Sequence, residues 1–175
     1  MALVAVGVYC LDQYAKLQIV AHLRVGDQVP VLGEVLQFHF VKNSGAAFSF
    51  AGAYTWFFTI AAVCVTVFII WFARRIRSMG WAMLFGMLLG GTTGNLTDRL
   101  FREPSFGQGH VIDFLQVWGF PAIFNVADSF IVASMGLFII LTLRGIGLDG
   151  RRVSRSAGEP PTDHEPPVDQ PPIQQ

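Results

Sequence analysis

Apolar residues dominate four stretches of this chain, at about residues 1–20, 54–72, 81–99 and 122–143. Each is close to the roughly 20 residues needed to cross the hydrocarbon core of a bilayer, so the pattern predicts four transmembrane helices. The second and fourth are clear; the first and third carry polar residues and score lower in hydropathy. In the connection from about 24 to 53, Leu36, Phe38 and Phe40 alternate with Gln37, His39 and Val41. A period of two predicts a small β element, within about residues 30–50, lying on the membrane surface. A further outer connection spans about residues 100–121. Residues 1–146 thus form one membrane domain. Residues 147–175 are rich in Pro, Asp, Glu and Gln without apolar periodicity, which predicts a disordered, solvated tail.

Composition supports an integral membrane class. The chain is 53% hydrophobic and 14% charged, with mean hydropathy +0.50, outside the range of ordinary soluble domains. The net charge of zero gives no sign of a nucleic-acid partner. Basic residues are nevertheless placed unevenly. Arg74, Arg75 and Arg77 crowd the connection between the second and third spans, and Arg144, Arg151, Arg152 and Arg155 follow the fourth. Short Lys/Arg-rich loops stay in the cytoplasm, so both termini are expected inside, with the two longer connections outside. Tyr54, Trp56, Trp71 and Trp81 lie near span ends, as interfacial aromatics do. Met1 opens the first span without a basic flank, which argues against a cleaved signal peptide. Cys10 and Cys64, both in apolar runs, read as buried thiols rather than a disulfide or metal pair.

The predicted directions place the unusual residues in depth. Asp12 and Lys16 lie beyond the midpoint of an outward-running span, and Asn95, Asp98 and Arg99 end another. Asn125 and Asp128 open the inward-running fourth span, and Asp113 belongs to the outer connection. All of the polar chemistry therefore falls in one outer layer. A carboxylate at membrane depth costs at least a few kcal/mol, which makes it a functional-site hypothesis by default. On helical faces, Asp12 and Lys16 are i,i+4 neighbours that can pair, either structurally or at a substrate. Asn95 and Arg99 share a face with Gly91, and Asn125 and Asp128 are i,i+3. Arg99 reads either as a site residue or as a side chain reaching to the interface, and the role of Asp98 is open, with capping or pairing to Arg102 as options. Gly86, Gly90 and Gly94 form a small-residue stripe suited to close helix packing. His22, His39 and His110 have no ligand spacing.

Chemistry narrows by residue type. The chain has no His-Glu-x-x-His pair for a metalloprotease. Ser44 and Ser49 lie near Lys42, but no span carries a histidine base for a serine nucleophile. Asp113 and Asp128 can supply a metal-free, cofactor-free aspartyl mechanism, one carboxylate activating water and the other, protonated, donating to a carbonyl oxygen. A small ion- or proton-coupled transporter using the Asp and Lys residues is the alternative; the apolar inner half argues against it. A non-catalytic adaptor leaves the polar cluster without a purpose.

Five blocks then carry a specific resemblance: Asp12-Gln13-Tyr14-Ala15-Lys16; Val41 to Ser49 (VKNSGAAFS); Gly90 to Leu100 (GGTTGNLTDRL); Val111-Ile112-Asp113-Phe114; and Phe124 to Ser129 (FNVADS). Over residues 1–143 the chain resembles the lipoprotein signal peptidases. The resemblance implies four transmembrane helices, a small extracytoplasmic β-cradle and a short helix in the second outer loop. It implies removal of the signal peptide from a prolipoprotein just before a diacylglyceryl-modified cysteine, at the bacterial inner membrane, and inhibition by globomycin. By position, Asp113 and Asp128 match the catalytic pair, and Asp12, Lys16, Asn43, Gly91, Asn95, Arg99, Asn125 and Ala127 match positions that line or support the site. Asn43 and Arg99 are expected to bind substrate backbone, and Asn95 and Asn125 to orient the pair. The Arg99–Asp113 connection is longer than the family pattern.

Overall fold

A computed structural model describes residues 1–45 and 55–152. Tyr54, the Ala46–Ser49 part of the second block and residues 153–175 of the tail lie outside the described residues.

Four long helices carry the fold: α1 (Ala2–His22), α2 (Thr55–Phe72), α3 (Met79–Phe101) and α4 (Val126–Leu143). Among them α3 is central, touching the other three. Its glycines explain why. A methyl group added at Gly86 would sit 2.8 Å from the Met1 carbonyl oxygen and from Val4 Cβ, and one at Gly90 would sit 2.6 Å from the Ala5 carbonyl oxygen. At Gly94 it would meet the Asp12 carboxylate at 2.5 Å, and at Gly91 the Ala127 carbonyl oxygen at 2.7 Å. The stripe thus seats α1, while Gly91 faces α4. Close backbone approach of this kind favours helix association where lipid removes the hydrophobic drive.

By length and composition, α2 with the following turn (Thr55–Arg75) and α4 are apolar enough to cross a membrane, with only 11% and 17% of their residues buried. So low a share rules out a soluble-core helix: the apolar side chains point outward. Polar residues place α1 and α3 below that threshold, as the sequence predicts. Cys10 and Cys64 are exposed rather than buried. The expectation of buried thiols fails because an apolar run in such a chain marks the outward face as readily as the core.

The two longer connections contribute to one antiparallel sheet of order β1 (Gln28–Leu32), β2 (Leu36–Asn43), β3 (Val111–Val117) and β4 (Ile123–Phe124). The two hairpin turns need a left-handed residue, supplied by Gly33 at φ 57° and Gly119 at φ 76°. Only the Leu36–Phe38 end of the predicted alternation is regular. A register shift between Phe38 and Val41 sets Phe38 opposite Leu115 but Val41 opposite Asp113. Phe40 turns into a small core with Ile19, Ile112 and Phe114. Bulges of this sort re-aim side chains beside functional sites.

Three expectations are corrected here. The connection after α3 has no helix: residues 102–107 form bends and a turn, 108–110 are irregular, and 111–124 form the β3–β4 hairpin, since Pro104, Gly107 and Gly109 interrupt any helical run. The fourth helix starts at Val126 rather than near 122, because Pro121 precedes a β4 strand and an N-cap. Residues 147–152 are not part of a disordered tail. The Leu148 carbonyl accepts from the backbone N–H groups of Arg77 and Ser78, and Ile146 bridges to Arg152.

The packing predicts that Gly90→Ala lowers stability by about 1–3 kcal/mol despite its better helix propensity, because the new methyl overpacks against α1. Gly136→Ala, with nothing within 4 Å of the added carbon, is expected to be neutral or stabilising. Thermal unfolding of both variants in detergent distinguishes them.

Candidate active site

The site is built from the C-terminal ends of α1 and α3 and the N-terminal end of α4, together with β2 and β3. At its base, Lys16 is fully buried, as are Asp12 and Asp98. Its ammonium lies 2.8 Å from Asp12 Oδ2, 2.8 Å from Asp98 Oδ2 and 2.9 Å from Asn95 Oδ1. A lysine has three N–H donors, so all three are satisfied. Arg102 adds a second cation on Asp98 at 2.6 Å, which leaves two acids and two bases in balance. The i,i+4 pair predicted from the sequence is therefore present, with both side chains fully buried.

Each acid in this base also holds a neighbouring element. Asp12 Oδ1 accepts from the Ala127 backbone N–H at 2.9 Å, filling one of the unsatisfied donors at the start of α4. Asp98 Oδ2 accepts from the Ile112 backbone N–H at 3.2 Å, one residue before Asp113. Asp98 is the residue whose role sequence reasoning left open. Its spacing to Arg102 reveals half of its partners; the other half come from α1 and β3 and leave no local signal. Ala127 is fully buried, between Asp12, Gly91 and Gly94, so little more than a methyl fits there.

Above this base the asparagines turn buried charge into oriented donors. The Asn95 carbonyl oxygen faces Lys16, so its amide N–H donates to Asp128 Oδ1 at 2.8 Å. Asn125 is the N-cap of α4: its side-chain oxygen accepts from the Asp128 backbone N–H at 3.0 Å, and its own backbone N–H donates to Asp128 Oδ2 at 3.2 Å. This reciprocal capping box also fixes the Asn125 amide. Its nitrogen donates to Asp113 Oδ1 at 2.6 Å and to Asn95 Oδ1 at 3.1 Å. On the other side, the Gly45 N–H holds Asn43 Oδ1 at 2.7 Å while the Asn43 amide donates to Asp113 Oδ2 at 2.7 Å.

Asp113 and Asp128 thus meet across Asn125. Asp113 is 1% exposed, whereas Asp128 is half-buried. Burial pushes the Asp113 carboxyl up to about 6; the neighbouring Asp128 charge adds to the rise, and the Asn43 and Asn125 hydrogen bonds, which favour the ionised form, oppose it. Proximity of two carboxylates, one deeply buried, is the arrangement that shares a proton between acid and base roles.

Not every expected residue joins the pair. Arg99 makes no described hydrogen bond to either aspartate; its guanidinium lies 3.5 Å from the Ser44 carbonyl oxygen and 5.4 Å above the Phe58 ring. Gly91 contributes packing against α4. Asn43 donates its amide to Asp113 Oδ2 at 2.7 Å. His22, His39 and His110 make no contact with either aspartate in the described hydrogen bonds, and no group of three His, Cys, Asp or Glu among the described residues could hold a metal ion.

Removing Lys16 strands the buried Asp12 carboxylate and leaves Asp98 with Arg102 as its one cation. Lys16→Met is expected to cost about 3–5 kcal/mol. Replacing the acids as well, in Asp12→Asn/Lys16→Met/Asp98→Asn, is expected to recover most of that loss. Chemical denaturation in detergent measures both; equal stability of Lys16→Met and the parent would refute the arrangement.

Comparison with known proteins agrees along the chain. The family model described as signal peptidase (SPase) II matches residues 4–144. The chain is 63% identical over 152 residues to a lipoprotein signal peptidase of Leifsonia xyli subsp. xyli, covering 87% of this chain and 70% of that one. It is 46% identical over 151 residues to the Mycobacterium avium lipoprotein signal peptidase, covering 85% and 82%. Two solved structures described as bacterial membrane enzymes superimpose with TM-scores of 0.70 and 0.72 at 29% and 28% identity. They cover 82% and 81% of this chain, and 87% and 91% of theirs.

Proposed function

Since the chain belongs to the signal peptidase II family, and so is a membrane hydrolase that removes signal peptides from prolipoproteins, we propose that it works as an aspartyl endopeptidase through Asp113 and Asp128. The observation that carries this reading is the shared clamp: one residue, Asn125, donates to Asp113 with its side chain and to Asp128 with its backbone. Transport through the Asp and Lys residues has no support, for the matched relatives are peptidases and Lys16 is locked among three acceptors.

Asp113, the buried member, holds the shared proton and acts as acid; Asp128, more open and at the positive end of the α4 dipole, acts as base. Asp128 takes a proton from a water, whose oxygen attacks the scissile carbonyl carbon, while Asp113 donates its proton to the carbonyl oxygen. The gem-diol then collapses. Its C–N bond breaks, the leaving nitrogen takes the proton from Asp128, and the diol returns one to Asp113. The products are a signal-peptide carboxylate and a free amine on the cysteine.

In the same reading all four helices span the inner membrane of a bacterium, both ends cytoplasmic, with the site at the extracytoplasmic face. The substrate cysteine carries a diacylglyceryl group, and globomycin competes for the site. Residues 1–146 are the working domain.

Two outcomes test this with a purified lipidated substrate. Asp113→Asn and Asp128→Asn are each expected to lose at least about 100-fold in kcat, since neither amide can exchange the proton; ordinary turnover by either variant rules the pair out. The pH profile of kcat/KM is expected to fall above about pH 6, where free Asp113 loses its proton. Asn43→Ala removes a hydrogen bond that favours the ionised form, so the Asp113 pKa rises and the alkaline limb moves to higher pH. A limb unmoved, or moved downward, would contradict the acid role of Asp113.

A further inference from the structure

Both helices that are apolar enough to cross a membrane, α2 and α4, end at one basic face. Arg74, Arg75 and Arg77 follow α2, and Arg144, Arg151 and Arg152 follow α4. All six residues are exposed, and none forms an ion pair among the described residues. Asp149 is the one acid in residues 73–79 and 144–152, and its Oδ1 accepts from the Arg151 backbone N–H at 3.0 Å. Hydrogen bonds join the two segments into a single surface. The Leu148 carbonyl oxygen accepts from the backbone N–H groups of Arg77 at 3.0 Å and Ser78 at 2.9 Å. The Trp81 indole N–H donates to the Ile146 carbonyl oxygen at 2.9 Å. Gly145 at φ 63° and Gly150 at φ 84° permit the fold-back after α4. At the rim, the Arg75 guanidinium lies 5.1 Å from the Trp71 ring centroid, and Trp71 and Leu143 are 62% and 83% exposed. Asp98 lies near the far end of α3, about 30 Å along the helix, so this face is separate from the aspartate pair.

We propose that this face binds the phosphate of an anionic phospholipid in the adjoining leaflet. The inference goes beyond the peptidase reading and rests on the membrane placement of α2 and α4. Setting the direction of a span requires only that basic residues lie in the flanking loops. It does not require the loops to be bonded to one another, or to be nearly free of acids. Six like charges held on one surface repel, and a shared counter-anion relieves that repulsion. The planar guanidinium presents parallel N–H donors that match the oxygens of a phosphate. Clusters of about four to eight basic residues directly beside a transmembrane helix attract anionic headgroups. The exposed Trp71 and Leu143 beside the arginines add apolar contact for the acyl chains below the headgroup. A soluble anion would meet only the charges, whereas a lipid meets both parts of the surface. The competing occupant is the chain's own segment with Glu159, Asp163, Glu165 and Asp169. Its acids stand among prolines and polar residues, which offer little to the apolar rim.

The test uses the full chain carrying Trp56→Phe and Trp118→Phe, which leaves Trp71 and Trp81 as reporters beside the face. It is reconstituted in phosphatidylcholine bilayers that contain brominated phosphatidylglycerol or brominated phosphatidylcholine. Tryptophan quenching then gives the ratio of the two association constants. A preference of at least about threefold for phosphatidylglycerol is expected at low salt, falling toward parity near about 1 M salt. Arg74→Gln/Arg77→Gln/Arg151→Gln/Arg152→Gln is expected to abolish the preference. Arg74→Lys/Arg77→Lys/Arg151→Lys/Arg152→Lys, which keeps the charge, is expected to retain it. A preference that survives the glutamine variant, or is lost in both variants, would overturn the proposal. Equal quenching of the parent by the two lipids would overturn it and leave the membrane placement intact; no quenching by either would remove the placement as well. A preference that emerges only after deletion of residues 153–175 would assign the face to the chain's own acidic segment and defeat the lipid assignment. None of these readouts uses turnover, so failure of the aspartyl reading leaves the test unaffected.

Discussion

The candidate active site depends on one buried ammonium. Lys16 has no access to water, and a lone charge there would cost several kcal/mol. Its three donors must find acceptors, and they find them on two different helices: Asp12 on its own, Asp98 and Asn95 on α3. The relative height of α1 and α3 is thereby fixed at the layer where the chemistry lies. The glycine stripe lets those helices approach closely enough for the side chains to meet. Without Gly94, the space occupied by the Asp12 carboxylate would be filled by a side-chain carbon.

From that point the geometry propagates by hydrogen bonds with only one workable sense. Asn95 must turn its oxygen to Lys16, so its N–H must face Asp128. Asn125 must accept from the first turn of α4, so its N–H must face Asp113. Asp12 and Asp98 extend the constraint to backbone, gripping Ala127 one residue before Asp128 and Ile112 one residue before Asp113. The aspartate pair is therefore held by buried acids that never touch it. Positioning to within a fraction of an ångström needs locked supporting rotamers, and this network supplies them.

Much of this was legible in the chain, and the limits have physical causes. Helices α2 and α4 announce themselves by unbroken apolar runs, and the Asp12–Lys16 pair by its i,i+4 spacing. The gathering of Asp12, Lys16, Asn95 and Asp128 in one layer follows from alternating helix direction. The start of α4 was misread at about 122 because apolarity continues through Ile123 and Phe124; the Asn125-x-x-Asp128 box is the local signal that marks the true beginning. Asp98 and Asn43 were opaque for a different reason. Their decisive partners, Lys16, Ile112 and Asp113, arrive from distant segments, and the bulge that sets Asp113 opposite Val41 breaks the alternation from which strand faces are read. The exposed cysteines show the converse: where lipid replaces water, hydropathy no longer separates inside from outside.

The two aspartates are unequal by construction, and the inequality follows from the elements that carry them. Asp113 sits on a strand covered by α1 and β2, with each oxygen accepting from an amide of fixed orientation. Asp128 sits in the first turn of a helix, where one oxygen must cap the backbone, and its flank lies open to an apolar groove. A strand packed under its neighbours can bury a carboxyl completely; a helix N-terminus that opens onto a groove cannot. Two identical side chains are thereby given different solvation without any metal or bound base. In the proposed mechanism, that difference lets Asp113 keep a proton while Asp128 takes one.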